Sequence, residues 1–401
     1  MHRREFLATT GAIAAAGLLP TVGLSDEIPP DVRITRIVGF DVTSRRPKLV
    51  GKNSRLDVHG DSATDAMVRI YTNSGVEGIG NCRRRQSELR PILGKKLVDL
   101  YDPRTRSVPN LGNGTMPVWD LLGKSLGQPV YELLGGEGPQ LVPVYDGSIY
   151  FADLLPENVA NPLDRFKEEI DMGLKLGHRA FKVKIGRGAK WMERKEGNQR
   201  DIDVLKTIRS HAGPDIVIGV DANNGYDLEG TKRLLDDLPD FNLAFVEEMF
   251  EETVDNCLAL KHFMRERGLK TLLADGETQG ELDVFKPFIE AKAIDVLQGD
   301  MNHFGFEGIL TEAAWALPAG IQVAPHNWGS LVGFYMQLHV GRAIKNLYMA
   351  ENDPCSNDIL VADGYEIKDG HCSVPEVPGF GLTINEPEFR TKARIRFDIS
   401  V

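Results

Sequence analysis

The sequence predicts an α/β protein, a (β/α)7β TIM-type barrel with an N-terminal α+β capping domain that the C-terminal segment completes. Three observations carry this expectation. From Leu141 onward, eight short apolar runs alternate with seven amphipathic helical stretches, the pattern of parallel βα units. Before them, residues 31–140 mix strand and helix signals with a hairpin. After the eighth run there is no long helix, only a Gly/Pro-rich tail from Pro375 to Leu382, so the chain is expected to return to the N-terminal unit.

Residues 1–30 read as an export signal. Met1-His2-Arg3-Arg4 and Glu5-Phe6-Leu7 precede an uncharged stretch from Ala8 to Leu24, marginal against the ~20 apolar residues of a membrane span. Arg-Arg-x-Phe-Leu before a weakly apolar stretch looks like a twin-arginine signal. The expected location is periplasmic or equivalent, with processing near Gly23 to Asp26 and no stable membrane insertion afterwards. A non-functional signal would leave the protein cytoplasmic.

In residues 31–140, Val32 to Val38 alternates partly with period two. Ala66–Thr72 faces Val76–Gly80 across Asn73-Ser74-Gly75, a hairpin signature. Helical segments are expected near Gln86–Leu100 and Met116–Leu134. In the barrel, residues 141–352, the expected strands are Val142–Ser148, Ala180–Ile185, Ile216–Asp221, Leu243–Glu247, Thr271–Ala274, Ile294–Gln298, Gln322–Ala324 and Asn346–Met349. Residues 353–401 form the return.

The 401 residues carry a formal net charge of −11. That balance excludes a typical nucleic-acid binder, which needs a basic face. The hydrophobic fraction of 42% suits an ordinary globular chain. Cys82, Cys257, Cys355 and Cys372 lie too far apart in sequence for a zinc ribbon or redox pair, so buried free thiols are expected.

The active face of a parallel barrel is its strand C-termini. The polar residues there run Lys182 and Lys184, Asp221, Glu247, Glu277, Asp300, His326 and Glu351. From Lys184 the gaps are 37, 26, 30, 23, 26 and 25 residues, each one βα unit. Asp221, Glu247 and Glu277 would repel one another without a cation. All-oxygen ligation favours Mg²⁺, with Mn²⁺ second. Asp275, two residues before Glu277, is a rival third ligand. Glu248 is expected to point away from the ion, supporting the ligands from behind or joining the core.

Lys182 and Lys184 share one side of their strand. Beside a divalent cation, the two like charges would each lower the other's pKa, poising one as a base near neutral pH. Asp300 beside His326 would fix its tautomer and make it a second base or an acid. Lys182 and Glu351 would assist an enediolate formed by removing a proton α to a carboxylate.

Lys-Val-Lys-Ile-Gly (182–186), Val-Asp-Ala-Asn (220–223), Val-Glu-Glu (246–248), Gly-Glu (276–277), Asp300 and His326 together resemble the enolase superfamily, in its mandelate racemase/muconate lactonizing enzyme family and mandelate racemase subgroup. Leu133-Leu134-Gly135-Gly136 and Pro378-Gly379-Phe380-Gly381-Leu382 look like the family's linker and C-terminal return. The likeness covers residues 31 to about 390. It implies Mg²⁺ on Asp221, Glu247 and Glu277, with Lys184 as base on one face and the His326–Asp300 dyad on the other. It further implies an acid-sugar dehydratase, with a racemase or epimerase as the alternative. Met249 stands where the family commonly has Pro, and residues 301–306 lack the usual Gly-Gly. Substrate contacts are expected from Asn223, Tyr150, His303 and, on the capping loop, Arg55 and His59. The partner is a small-molecule carboxylate, and the chain is expected to form a homo-oligomer. Two other classes compete: a Schiff-base aldolase on Lys184, and a non-catalytic exported sugar-acid binding protein.

Overall fold

A computed structural model describes residues 27–102, 105–109 and 111–401. The twin-arginine-type segment, except for its last few residues, lies outside them. The capping sheet is antiparallel. Strands β1 (Ile34–Val50), β2 (Gly60–Thr72) and β3 (Glu77–Asn81) are joined by a last strand, Arg394–Ser400, in the order last–β1–β2–β3. Ile37 opposes Ile70 and Phe40 opposes Met67. All four side chains are buried; Ile37 and Phe40, three apart, lie on opposite faces of the strand, and Phe40 packs edge-on against Phe389.

Two of the expected capping helices are broken. Gln86–Leu100 is one short helix, Gln86–Leu89, followed by 3-10 turns, since Pro91 supplies no amide donor. Met116–Leu134 splits into Met116–Leu126 and Val130–Leu134. The residue before Pro129 is driven out of the helical region.

The barrel strands are β4 (Val142–Ile149), β5 (Ala180–Lys184), β6 (Val217–Asp221), β7 (Phe245–Glu247), β8 (Leu272–Asp275), β9 (Val296–Leu297), β10 (Gln322–Val323) and β11 (Ala350–Asn352). They pair in sequence order, in parallel, and β11 returns to β4. Backbone bonds from Val323 to Asn346 and from Tyr348 to Val323 close the ring. The eighth strand therefore pairs at 350–352, four residues later than expected; residues 346–348 make the seam with β10. Ile218, Val220 and Val246 are fully buried, as parallel strands covered on both faces require.

The tail from Pro375 to Leu382 returns as expected. Asp120, fully buried, accepts hydrogen bonds from the Ile79 amide (2.8 Å) and the Phe380 amide (2.9 Å). Val130 N–H donates to the Gly379 carbonyl. One carboxylate thus ties capping sheet, linker helix and tail together. The four cysteines are free thiols. No helix among the described residues is long and apolar enough to cross a membrane.

Candidate active site

Strand alternation delivers Lys182 and Lys184 of β5 into the barrel mouth, both buried. Lys182 Nζ lies 2.7 Å from Glu247 Oε1, 2.8 Å from Glu351 Oε1 and 3.4 Å from Asp221 Oδ2. Lys184 Nζ pairs closely with Asp221 Oδ2. Burial disfavours the charge on both lysines. The facing carboxylates outweigh it, chiefly Glu247 and Glu351 for Lys182 and Asp221 for Lys184, and hold both above the ordinary lysine range. Lys182 still lowers Lys184, as like charges do, and the carboxylate partner of each ammonium outweighs that effect. Burial pushes the Asp221 carboxyl up, but Lys184 and Lys182 hold it well below the usual range.

Asp221, Glu247 and Glu277 each offer an oxygen within 4.8 Å of the others. Three hard oxygen donors at that spacing suit an oxygen-seeking divalent ion. Two buried oxygens beside the triad, Glu248 Oε1 and Asn223 Oδ1, have no hydrogen-bond donor. The donor set therefore fits a cation. Asp275, the rival ligand, is not in the group. Gly276 adopts φ +131°, a conformation open to glycine, and the chain swings there so that Glu277 enters the mouth. Asp275 accepts from the Gly276 amide instead.

Glu248 is fully buried and is not one of the three grouped ligands, in the supporting place expected of it. Its φ of +40° breaks the strand alternation, and Asn223 Nδ2 donates to both Glu248 Oε2 (3.0 Å) and Glu277 Oε1 (3.2 Å). Burial, then the negative charges of Glu277 and Asp221, push its carboxyl up to about 8.

Across the mouth, His326 Nδ1 lies 2.7 Å from Asp300 Oδ2, and Nε2 lies 3.1 Å from Glu277 Oε2 and 3.9 Å from Glu351 Oε2. A parallel bridge between Asp300 and His326 sets the two side by side. Burial opposes the imidazolium, but Glu277 and Asp300 raise His326 to about 10. Gln298, two residues before Asp300, donates to Glu247 Oε2 at 2.7 Å. The Asn327 amide donates to Glu351 Oε2 at 3.0 Å.

Tyr150 and Trp328 stack at 4.6 Å, and His59 meets both rings edge-on. Lys184 Nζ lies 5.1 Å from the Tyr150 ring centre. Trp328 Nε1–H donates to His59 Nδ1 at 3.1 Å, so the neutral ring keeps its proton on Nε2. Burial, then Lys184, lowers His59 to about 4. Arg55 is exposed and lines a polar cleft of about 480 Å³ with Asn224, Tyr226, Glu251, Glu252, Thr278 and Gln279. His303 is exposed and its Nε2 bonds the Gly280 carbonyl.

Sequence reasoning missed Gln298, Asn327 and Trp328. Gln298 was accessible through its period-two spacing from Asp300. Asn327 and Trp328 directly follow His326.

Fold and site together define a capped parallel-barrel enzyme with a carboxylate triad between a lysine pair and a His–Asp dyad. Residues 165–388 match the model of the Enolase C-terminal domain-like family. The chain belongs to that family and is an enzyme of the enolase superfamily. It is 30% identical over 277 residues to arabinonate dehydratase of Saccharolobus solfataricus, spanning 68% of this chain and 69% of that protein. A magnesium complex of a mutant galacturonate dehydratase from Geobacillus sp. superposes with a TM-score of 0.85 at 33% identity, covering 91% of this chain and 96% of that one. The same enzyme with D-galacturonate and 5-keto-4-deoxy-D-galacturonate gives 0.83 at 32% identity, covering 92% and 100%.

Proposed function

We propose that this enzyme removes the proton α to the carboxylate of an acid sugar and eliminates the β-hydroxyl as water, leaving a 2-keto-3-deoxy acid. The observation that carries the reading is the placement of Lys184 and the His326–Asp300 pair on two sides of the triad. The likeness to arabinonate and galacturonate dehydratases supports it.

Asp221, Glu247 and Glu277 would hold the metal, Mg²⁺ or secondarily Mn²⁺. When bound, that ion supplies Lewis-acid stabilisation of the second charge that develops on the substrate carboxylate. With a cation on the triad offsetting the carboxylates that hold Lys184 and His326 protonated, Lys184 Nζ or His326 Nε2 would take the α proton. His326 gives a proton to the departing hydroxyl, and Asp300 holds the ring in the orientation that transfer needs. Lys182, braced by Glu247 and Glu351, presents its ammonium to a carboxylate oxygen. Tyr150, Trp328 and His59 form an aromatic wall beside Lys184. Asn223, Arg55 and His303 stand in the loops around the mouth, where the sugar hydroxyls would lie.

The same two faces also serve two-base inversion, which makes racemisation the second reading. Incubation of a panel of acid sugars with Mg²⁺ tests both. Formation of 2-keto-3-deoxy product, abolished by EDTA, supports dehydration. Epimerised substrate without keto acid supports inversion, and full activity in EDTA overturns both. Export through the twin-arginine route belongs to the same proposal, supported by Arg3-Arg4-Glu5-Phe6-Leu7. Periplasmic fractionation that Arg3→Lys/Arg4→Lys abolishes checks it.

A further inference from the structure

The capping loop that follows β1 is stitched to three successive barrel loops. Lys52 O accepts from the Phe151 amide at 2.9 Å, beyond β4. Asn53 O accepts from Trp191 Nε1 at 2.6 Å and Arg55 O from Lys190 Nζ at 2.7 Å, both beyond β5. Between them, Ser54 Oγ lies 2.6 Å from Ala222 O and 3.0 Å from Asn223 O, beyond β6. Ser54 is 4% exposed.

That last contact falls on an unusual turn. Asn223 and Asn224 are consecutive non-glycine residues in the left-handed region, at φ +40° and +59°, each a costly conformation unless its surroundings impose it. The turn has direct consequences for the triad. The Asn223 amide donates to Asp221 Oδ1 at 2.8 Å, and its side chain bonds Glu248 and Glu277. The close approach of Ser54 is built in: a Cβ at Gly186 or Gly225 would stand 3.1 or 3.0 Å from Ser54 Cβ, tighter than ordinary contact.

We propose that Ser54 is a positioning residue of the metal centre, whose single hydroxyl hydrogen is donated to the Ala222 carbonyl and shared with the Asn223 carbonyl, and so fixes the turn that aligns Asp221, Glu277 and Glu248. The inference rests on the reading of the triad as a divalent-metal site. It makes the capping loop part of the metal centre's support, so substrate contacts on that loop and metal binding are energetically coupled. Such coupling is reciprocal.

Calorimetric titration of metal-stripped protein with Mg²⁺ tests the idea in wild type, Ser54→Ala and Trp191→Phe, with far-UV circular dichroism as the folding check. Trp191→Phe releases Asn53 O from the same loop without touching Ala222 or Asn223. The expected result is Mg²⁺ affinity about 10-fold or more weaker in Ser54→Ala, the size seen for groups that orient metal ligands, and unchanged in Trp191→Phe. Equal affinity in Ser54→Ala and wild type overturns the proposal. So does an equal loss in both variants, which marks general loosening of the loop. If Ser54→Ala does not fold, hydrogen exchange of the Asn224 and Gly225 amides in wild type decides. Protection of both amides rising with Mg²⁺ supports the coupled turn, and protection indifferent to Mg²⁺ overturns it. Absence of Mg²⁺ binding by wild type instead sinks the triad reading itself.

Discussion

His326 and Asp300 lie side by side, 2.7 Å apart from Nδ1 to Oδ2, at the ends of neighbouring parallel strands. This leaves Nε2 free to face Glu277 and the mouth. Asp300→Asn keeps the shape and removes the charge that supports the imidazolium. Turnover in the dehydration assay is expected to fall by roughly 10²–10⁴, with the melting temperature nearly unchanged. A loss below about threefold would remove the dyad from the chemistry.

Lys184 is expected to act on one face only. In D₂O, Lys184→Ala should lose exchange of the α proton for substrates whose proton faces β5. Epimers that present it to His326 should retain exchange. NMR of recovered substrate reads this directly. Equal exchange from both epimers would contradict the assignment of faces.

Glu312 gives a pH dependence outside the site. It is fully buried, and its hydrogen bond comes from the Gly299 amide at 3.3 Å. Burial pushes its carboxyl up to about 8. Between the ordinary carboxylate value and about 8, the folded chain holds a proton that the unfolded chain has released. Stability therefore falls as pH rises through that window, and the cost is fully present above it. Glu312→Gln should flatten the slope and raise stability at pH 8 by an amount on the order of a few kcal/mol, read from melting curves between pH 5 and 9. Parallel curves for both proteins would contradict it.

Asp120 anchors the return of the tail. Asp120→Ala leaves the Ile79 and Phe380 amides buried without acceptors, and Lys124 without its 2.6 Å partner. A loss of about 2–5 kcal/mol follows, measured by urea unfolding. A change under about 1 kcal/mol would show that the tail docks by apolar packing alone.

The barrel was legible in the sequence because each βα unit repeats one period and ends on an ionisable residue. The hairpin at Asn73-Ser74-Gly75 was legible because its turn chemistry is local. Lys182 with Lys184 and Asp300 with His326 followed from strand spacing. What stayed hidden depends on geometry that spacing does not carry. The choice of Glu277 over Asp275 turns on the backbone at Gly276. The register of the eighth strand escaped because the apolar run Leu347-Tyr348-Met349 reads as the strand, whereas the more polar Ala350–Asn352 makes the pairing with β4.

The most direct test is the Mg²⁺ stoichiometry of the metal-stripped enzyme by calorimetry, alongside Asp275→Asn and Glu277→Gln. One ion per chain, retained in Asp275→Asn and lost in Glu277→Gln, is the predicted result. No saturable Mg²⁺ binding by wild type, or binding that survives in Glu277→Gln and disappears in Asp275→Asn, would contradict it.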